Sequence, residues 1–528
     1  MTSKIPLGAL DAAFLLGETR NTPMHVASLQ TFKIPAGAPP HFVSELYAYM
    51  RGFPVSAEPF NYQVAGGLRG KLRPSWEIRD DIDLDYHLRF SALPYPGGER
   101  ELGILVSRLH SIPMDLARPL WEVHLIEGLE DNRFAFYYKM HHALVDGMTA
   151  MRLVTLSNDP SDGFAPPIWA ARLGEKFAHR PSQTGLLEKL PELARKELEA
   201  LPDLYRGLSA VAKAAVGLAG DTNLTSTTAS PRTLFNVKID GQRRVATYRT
   251  SLTRLKMIGR AAGGTVNDVV LAACSGALRR YLAELGELPG KSLIGAVPVA
   301  LFRDKREGAG NAVTTLLARL GTDVADVRER FGVIVRSVAA GKEHLQGMSE
   351  AAAMNYTMMM ATPAMLTMWL PDVATQMPPM YNLIISNVPG PRDKIRFHGA
   401  EMEAIYPVSQ VGHGMALNIT VVSYADQFAF GFVACRDTVP SMQRLAVYMA
   451  DALDELEKTF LPMDEAKPAK PVERTRKRSK PAGKSKGKRS KGKSASKTKA
   501  TTPGRGKKRA TAKAAKKRAA RGGKKTAA

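Results

Sequence analysis

Two imidazoles and a carboxylate fall within six residues of this chain, in Met140-His141-His142-Ala143-Leu144-Val145-Asp146-Gly147. A neutral imidazole held away from bulk water has the basicity to take a proton from an alcohol near pH 7. His142 is the candidate for that general base. His141 either assists it or braces the loop. Asp146, four residues after His142, either polarises the imidazole or fixes the loop, and Gly147 permits a tight turn out of the segment. Average residue usage puts a chance HHxxxDG in roughly one of a thousand chains of this length, so the pattern carries information. A lone histidine on an apolar face is more often a satisfied core residue, so the setting must decide.

That setting is a strand, a loop and a helix. In Arg133–Met140 the second-residue period puts Phe134, Phe136, Tyr138 and Met140 on one face. If the strand continues, His142 joins that apolar face and His141 falls with Tyr137 and Lys139. Upstream, Glu99–Leu109 reads as helix and Trp121–Glu127 as a strand, which Gly128-Leu129-Glu130-Asp131-Asn132 turns back into the histidine strand. After Gly147 a helix places Met148, Met151 and Val154 on one face.

Further motifs stand in order along the chain. They are Leu10-Asp11-Ala12-Ala13-Phe14-Leu15, Pro23-Met24-His25-Val26, Pro119-Leu120-Trp121, Asn267-Asp268 and Asn387-Val388-Pro389-Gly390-Pro391. HHxxxDG in this setting resembles the acyl-transfer signature of the chloramphenicol acetyltransferase-like superfamily, shared by carnitine acyltransferases and peptide-synthetase condensation domains. With the other motifs, about the first 460 residues resemble the bacterial bifunctional wax ester synthase/acyl-CoA:diacylglycerol acyltransferase family. One departure is Leu317-Ala318-Arg319-Leu320, where that family leads one to expect a Leu-Pro. The resemblance implies an α/β fold of two similar lobes facing each other, with the active site between them. It also implies transfer of a long acyl chain from acyl-CoA, as co-substrate, to diacylglycerol or a long-chain alcohol. Pro119, Leu120 and Trp121 then either shape a substrate pocket or pack the strand pair. Asn267 and Asp268 either cap a helix or hold the second lobe against the site. His25 and His413 read as ordinary polar positions.

Composition separates two regions. Of 74 basic and 50 acidic residues, 26 basic and one acidic (Glu473) fall in Lys467–Ala528, giving that segment +25 and the remainder −1. Its Lys, Ala, Gly, Ser and Thr cannot bury enough surface to offset chain entropy, so disorder is expected there. The tail is similar to those of linker histones. It suits an anionic membrane or lipid-droplet surface, or nonspecific DNA or polyphosphate binding; without interleaved aromatics it offers no base stacking.

Cys274 and Cys435 lack a CxxC spacing, which argues against a disulfide scaffold or a zinc site and fits a reducing cytoplasm. Both read as small buried hydrophobes rather than acyl-accepting nucleophiles. Neither a metal nor a cofactor beyond the acyl-CoA co-substrate is expected. No signal peptide is visible, and the uncharged stretch Ala351–Pro371 is too polar and broken for a confident span. The Met-rich run from Met354 to Met380 either fills core gaps or touches lipid. The expected location is cytoplasmic, peripheral to the inner membrane face or to lipid inclusions.

The chain therefore divides into an N-terminal lobe (1–156), a helical or flexible connector (157–232), a C-terminal lobe (233–462) and the basic tail (463–528). In the second lobe Thr265 and Asp268 form a variant capping box before a helix over Val269–Leu282. Strands are expected at Ser292–Leu301, Tyr381–Asn387, Leu417–Tyr424 and Phe428–Cys435. A final helix over Pro440–Phe460 places its proline at the first helical position. Two rival functions keep this fold: a condensation-type transferase using a carrier-bound acyl donor, and a non-catalytic tether between lipid inclusions and DNA.

Overall fold

The computed structural model describes residues 4–56, 58–65, 74–145, 147–157, 165–170, 230–300, 313–348, 356, 360 and 370–461. Asp146, most of the 157–232 connector, most of Ala351–Pro371 and the 463–528 tail lie outside the described residues. The first half contains β1 (Lys4–Pro6), α1 (Ala9–Gly17), β2 (His25–Lys33), α2 (Phe42–Arg51), β3 (Tyr62–Val64), β4 (Ser75–Ile78), α3 (Leu84–His87), β5 (Leu88–Ala92), α4 (Glu99–Ser111), β6 (Trp121–Leu129), β7 (Arg133–His141) and α5 (Gly147–Leu156). The second contains β8 (Arg243–Ser251), α6 (Leu252–Ala261), α7 (Val266–Glu284), β9 (Ile294–Ala300), β10 (Val313–Arg319), α8 (Val327–Gln346), α9 (Pro371–Ala374), β11 (Leu383–Pro389), β12 (Arg396–Phe397), β13 (Ala400–Val408), β14 (Leu417–Tyr424), β15 (Gln427–Cys435) and α10 (Arg444–Phe460).

Two six-stranded sheets organise these elements, in the orders β12-β13-β2-β7-β6-β5 and β10-β9-β11-β14-β15-β8, beside a small β1-β4-β3 sheet. The α/β, two-lobed architecture expected from the motifs is present. The lobe expected over 233–462 is not self-contained, however. β13 crosses to the first sheet and pairs antiparallel with β2, from Glu401 opposite Lys33 to Val408 opposite Ala27. A register shift between Met402 and Ala404 puts Met402 in one core and Ala404, Tyr406 and Val408 in the other. The sheets approach at backbone distance, since a Cβ on Gly431 of β15 would stand 1.7 Å from the Pro407 carbonyl oxygen.

The alternation in β7 sorts its side chains as the sequence predicts. Phe134, Phe136, Tyr138 and Met140 pack in one core with Phe32, Trp121 and Phe397. Ala135 and Tyr137 face a second core that continues through α4 and β8 into the second sheet. A suture joins the halves along this face. Ser107 and Ser111 of α4 donate back to Gly103 O (2.6 Å) and Ser107 O (2.7 Å). Their hydroxyl oxygens accept the backbone N–H groups of Val245 (2.9 Å) and Arg243 (2.8 Å) from edge strand β8. Hydroxyls one helical turn apart thus stand in for a missing strand partner.

Local signals fix the termini. Asp268 Oδ2 accepts from Thr265 N (2.8 Å) and Oγ1 (2.7 Å), closing the expected capping box of α7. The last helix differs: α10 begins at Arg444, not Pro440, because Ser441 takes a left-handed φ of 51° and interrupts any helix from the proline. Cys274 is buried within α7 and Cys435 ends β15; burial pushes the Cys274 thiol well above its ordinary pKa. Met360 packs against Ile294, Ala296 and Leu317, as a gap-filler would. Among the described residues no single helix is long and apolar enough to cross a membrane. α6 and α7 reach that composition only jointly, bent by 94°, and α7 is buried along most of its length.

Candidate active site

β7 ends at His141, and the next residues leave the sheet in a turn closed by Leu144 N donating to His141 O (2.9 Å). Three backbone bonds anchor the pair of histidines. His141 N donates to Leu120 O (3.0 Å), His142 N donates to Met24 O (2.8 Å), and Ala143 N donates to His141 Nδ1 (3.0 Å). The two rings therefore go different ways. His141 is fully buried on the Tyr137–Lys139 face, with Nε2 3.4 Å from Glu18 Oε2. His142 is half-buried, its ring stacked on Phe14 with centroids 4.3 Å apart and planes 20° from parallel. Phe14 belongs to the apolar set on the Phe134–Met140 side, where the strand period places His142.

The motifs from the rest of the chain separate into those that meet this turn and those that do not. Gly147 opens α5 directly against β11, with a Cβ there 3.8 Å from Val388 Cγ2. The Asn387–Pro391 motif of the second half thus meets the histidine segment of the first. A Cβ on Gly390 would stand 2.2 Å from Ser423 O, so this motif lies close along β14. Pro119-Leu120-Trp121 packs rather than reacts. Leu120 and Trp121 are buried, and the Trp121 indole N–H donates to Phe60 O (2.8 Å). Its ring stacks between His87 and Trp169, at 4.4 and 5.6 Å. The motif's contribution to the site is the Leu120 carbonyl that holds His141. Asn267 and Asp268 sit at the start of α7, where the hydrogen bonds of the Asp268 carboxylate close on Thr265. Capping is the role the Asp268 geometry displays. His413 accepts the Ile239 N–H at Nδ1 (3.1 Å), a structural duty.

His25, expected to be ordinary, is not. It pairs directly across from His141 in the β2–β7 ladder, is buried, and donates from Nε2 to His110 O (2.9 Å). Burial, then the Lys139 charge and the neighbouring His110, hold its pKa well below the usual histidine value. His110 accepts from the Tyr137 hydroxyl at Nδ1 (2.8 Å) and donates from Nε2 to Ser409 O (2.9 Å). Burial brings its pKa down to about 3. Both rings are neutral at physiological pH.

Beneath them Lys139, fully buried, donates to Leu109 O (3.2 Å) and Ile112 O (2.6 Å) at the end of α4 and lies 3.7 Å from Glu122 Oε2. Glu122 also faces His124 Nε2 at 3.2 Å and Arg89 Nη2 at 3.5 Å. Burial alone would raise its pKa; the His124 hydrogen bond and the Lys139 and Arg89 charges outweigh that and hold it at about 2.

Phe14 and Glu18 were not singled out by side-chain chemistry. Leu10–Leu15 and Pro23–Val26 stood out only as family-like runs, yet the four-residue spacing from Phe14 to Glu18 was a readable sign of one helical face. No group of three or more His, Cys, Asp or Glu suited to a metal occurs among the described residues.

Two family models match the chain: the wax ester synthase/diacylglycerol acyltransferase catalytic domain over residues 7–270, and the C-terminal domain of the same family over residues 309–457. The chain belongs to the wax ester synthase/diacylglycerol acyltransferase family. It is 37% identical over 469 residues to the O-acyltransferase WSD of Acinetobacter baylyi, covering 88% of this chain and 99% of that protein. A Mycobacterium tuberculosis protein provisionally named a diacylglycerol O-acyltransferase is 42% identical over 480 residues, covering 85% and 96%. The solved wax ester synthase/diacylglycerol acyltransferase of Marinobacter aquaeolei VT8 superposes with a TM-score of 0.69 at 37% identity, over 86% of this chain and 99% of that one. A condensation domain of the CDA synthetase shares the fold, at a TM-score of 0.51 and 17% identity. Membership in the family makes this chain an acyltransferase, and its two matched segments exchange strands: β8 of the second sheet falls in the first match, and β12 and β13 of the first sheet fall in the second.

Proposed function

We propose that this acyltransferase moves a long acyl chain from acyl-CoA to the hydroxyl of diacylglycerol, and to long-chain alcohols, with His142 as general base. One observation carries the reading. Of the paired histidines, His142 is the one that leaves the sheet half-buried, at the turn where Gly147 meets the Val388 segment of the second half. In this scheme the imidazole takes the hydroxyl proton as the oxygen attacks the thioester carbon. The tetrahedral adduct collapses with cleavage of the C–S bond, and the imidazolium returns the proton to the departing thiolate. Transfer is direct, so neither an acyl-enzyme nor a further cofactor is required. General-base catalysis supplies about 10²–10⁴-fold, so positioning and stabilisation of the oxyanion carry much of the remainder.

The test is an acceptor and donor panel on the purified chain. Acyl-CoA with diacylglycerol should give triacylglycerol, and acyl-CoA with a long-chain alcohol should give wax ester. Turnover only with a carrier-bound acyl donor would overturn the acyl-CoA reading in favour of condensation-type chemistry. No turnover with any donor would favour the non-catalytic tether.

The tail suggests where such an enzyme works. Each buried acyl CH₂ is worth about 0.8 kcal/mol, so a triacylglycerol leaves slowly into water and needs an apolar sink beside the exit. The +25 segment Lys467–Ala528 suits retention on the anionic inner membrane face or on a lipid inclusion. Basic residues at an anionic membrane contribute about 1 kcal/mol each, and only part of the set needs to act at once. Deleting 467–528 should abolish salt-sensitive binding to vesicles containing anionic phospholipid and leave turnover on detergent-dispersed substrate unchanged. Vesicle binding that survives the deletion would overturn this role, and retention of the full chain on DNA or polyphosphate alone would assign the tail to those polyanions.

A further inference from the structure

Helix α1 grips both histidines. Phe14 and Glu18 stand four residues apart, the latter capping the helix C-terminus. Phe14 stacks on the His142 ring, and the Glu18 carboxylate faces the His141 ring with side-chain exposures of only 6% and 0%. The protonation of His141 follows from its other nitrogen. A backbone N–H can only donate, so the Ala143 N–H 3.0 Å from Nδ1 requires a lone pair there. The ring proton then sits on Nε2, which faces Glu18 Oε2 at 3.4 Å. An ionised carboxylate has acceptors only, so it accommodates this tautomer and repels the other. The second carboxylate oxygen, Oε1, is approached by the Met24 N–H at 3.5 Å, and the Met24 carbonyl receives the His142 N–H at 2.8 Å. Glu18 therefore touches the turn at both ends: through His141 to Ala143, and through Met24 to His142.

We propose that Glu18 is a positioning residue for the acyl-transfer base: it selects the Nε2–H form of His141, which leaves Nδ1 able to hold the turn that presents His142. This rests on the reading of His142 as the base. Neither His141 nor Glu18 needs to touch substrate. The arrangement explains why two adjacent histidines serve one proton transfer: one carries the proton and the other keeps the loop in register.

Glu18→Gln separates tautomer selection from packing, because it is isosteric. Its amide oxygen takes the place of Oε1 at the Met24 N–H, which turns the amide NH₂ toward His141 Nε2. That nitrogen must then accept, the ring proton moves to Nδ1, and the Ala143 N–H loses its acceptor. The kcat should fall about 10- to 100-fold while KM for both substrates stays within about two-fold. In a His141→Asn background the asparagine oxygen replaces Nδ1 as acceptor for Ala143, so adding Glu18→Gln should change kcat by less than about two-fold. Wild-type kcat in Glu18→Gln, or the same loss in both backgrounds, would overturn the proposal. A measurement on the unaltered chain stands beside these. With ¹⁵N-labelled histidine, and His141→Asn to assign the signal, the His141 ring should show protonated Nε2 and bare Nδ1; a protonated Nδ1 rules the proposal out whatever the variants do. That spectrum does not depend on His142 being the base, so the two readings fail separately.

Discussion

Replacing His142 with alanine should lower kcat on the order of 10²–10⁴-fold for acyl-CoA and diacylglycerol while leaving the fold in place. The expectation has two halves. In the proposed mechanism, loss of the imidazole removes both the acceptor of the hydroxyl proton and the acid that protonates the thiolate, so both halves of the transfer should suffer together. The fold should survive because the ring is half-buried at a turn that backbone hydrogen bonds hold. The backbone bond from residue 142 to Met24 O does not involve the side chain. Alanine at position 141 makes the informative contrast. That ring is fully buried and accepts the Ala143 N–H, so its removal leaves a buried donor unmatched, at a cost of about 1–3 kcal/mol. His142→Ala should therefore keep the wild-type thermal midpoint with lost turnover, whereas His141→Ala should lose stability as well. Initial rates and thermal unfolding of both proteins decide the matter, and full activity in His142→Ala would reject the mechanism.

The difference between the two histidines was legible in the sequence because it depends on a short-range rule. Period two along β7 sends Tyr137, Lys139 and His141 one way and Phe134, Phe136, Tyr138 and Met140 the other, and both cores respect it. The capping box at Thr265 and the strands expected at Leu417–Tyr424 and Phe428–Cys435 were readable for the same reason, the second beginning one residue earlier, at Gln427. What partners these elements was not. β13 pairs with β2 across more than three hundred and fifty residues of chain, and nothing local to Ala400–Val408 says that its neighbour is His25–Lys33. Side-chain chemistry did not mark Glu18 either. Its importance comes from the strand that brings His141 beneath it. The strand period grouped Lys139 with Tyr137 and His141, but its burial was not readable locally, since lysine is almost never fully buried unless paired. Its partner lies on the adjacent strand, where Glu122 stands opposite it in register.

That pair should dominate the stability of the site. Lys139→Met removes the cation but leaves the Glu122 carboxylate buried, and breaking a buried pair from one side typically costs about 3–5 kcal/mol. The methionine fills the volume, so the loss reflects charge rather than a cavity. The same substitution frees the carbonyls of Leu109 and Ile112 at the end of α4, ahead of the β6–β7 hairpin that carries His141. Adding Glu122→Gln to Lys139→Met should recover much of the loss, because the double variant buries no unmatched charge; urea unfolding of the three proteins measures the cycle. The acid side supplies an independent readout. Glu122 is held at about 2 in the fold, below the ordinary carboxyl value near 4.5, so its ionised form stabilises the protein fully above that ordinary value. This contribution is lost as the pH falls from there toward about 2, because the unfolded chain binds the proton first. Without the Lys139 charge the folded-state pKa rises, and the gain in stability across that window should shrink. If Lys139→Met unfolds at the wild-type urea midpoint and keeps the wild-type acid slope, the buried charges under the histidine turn do not support it.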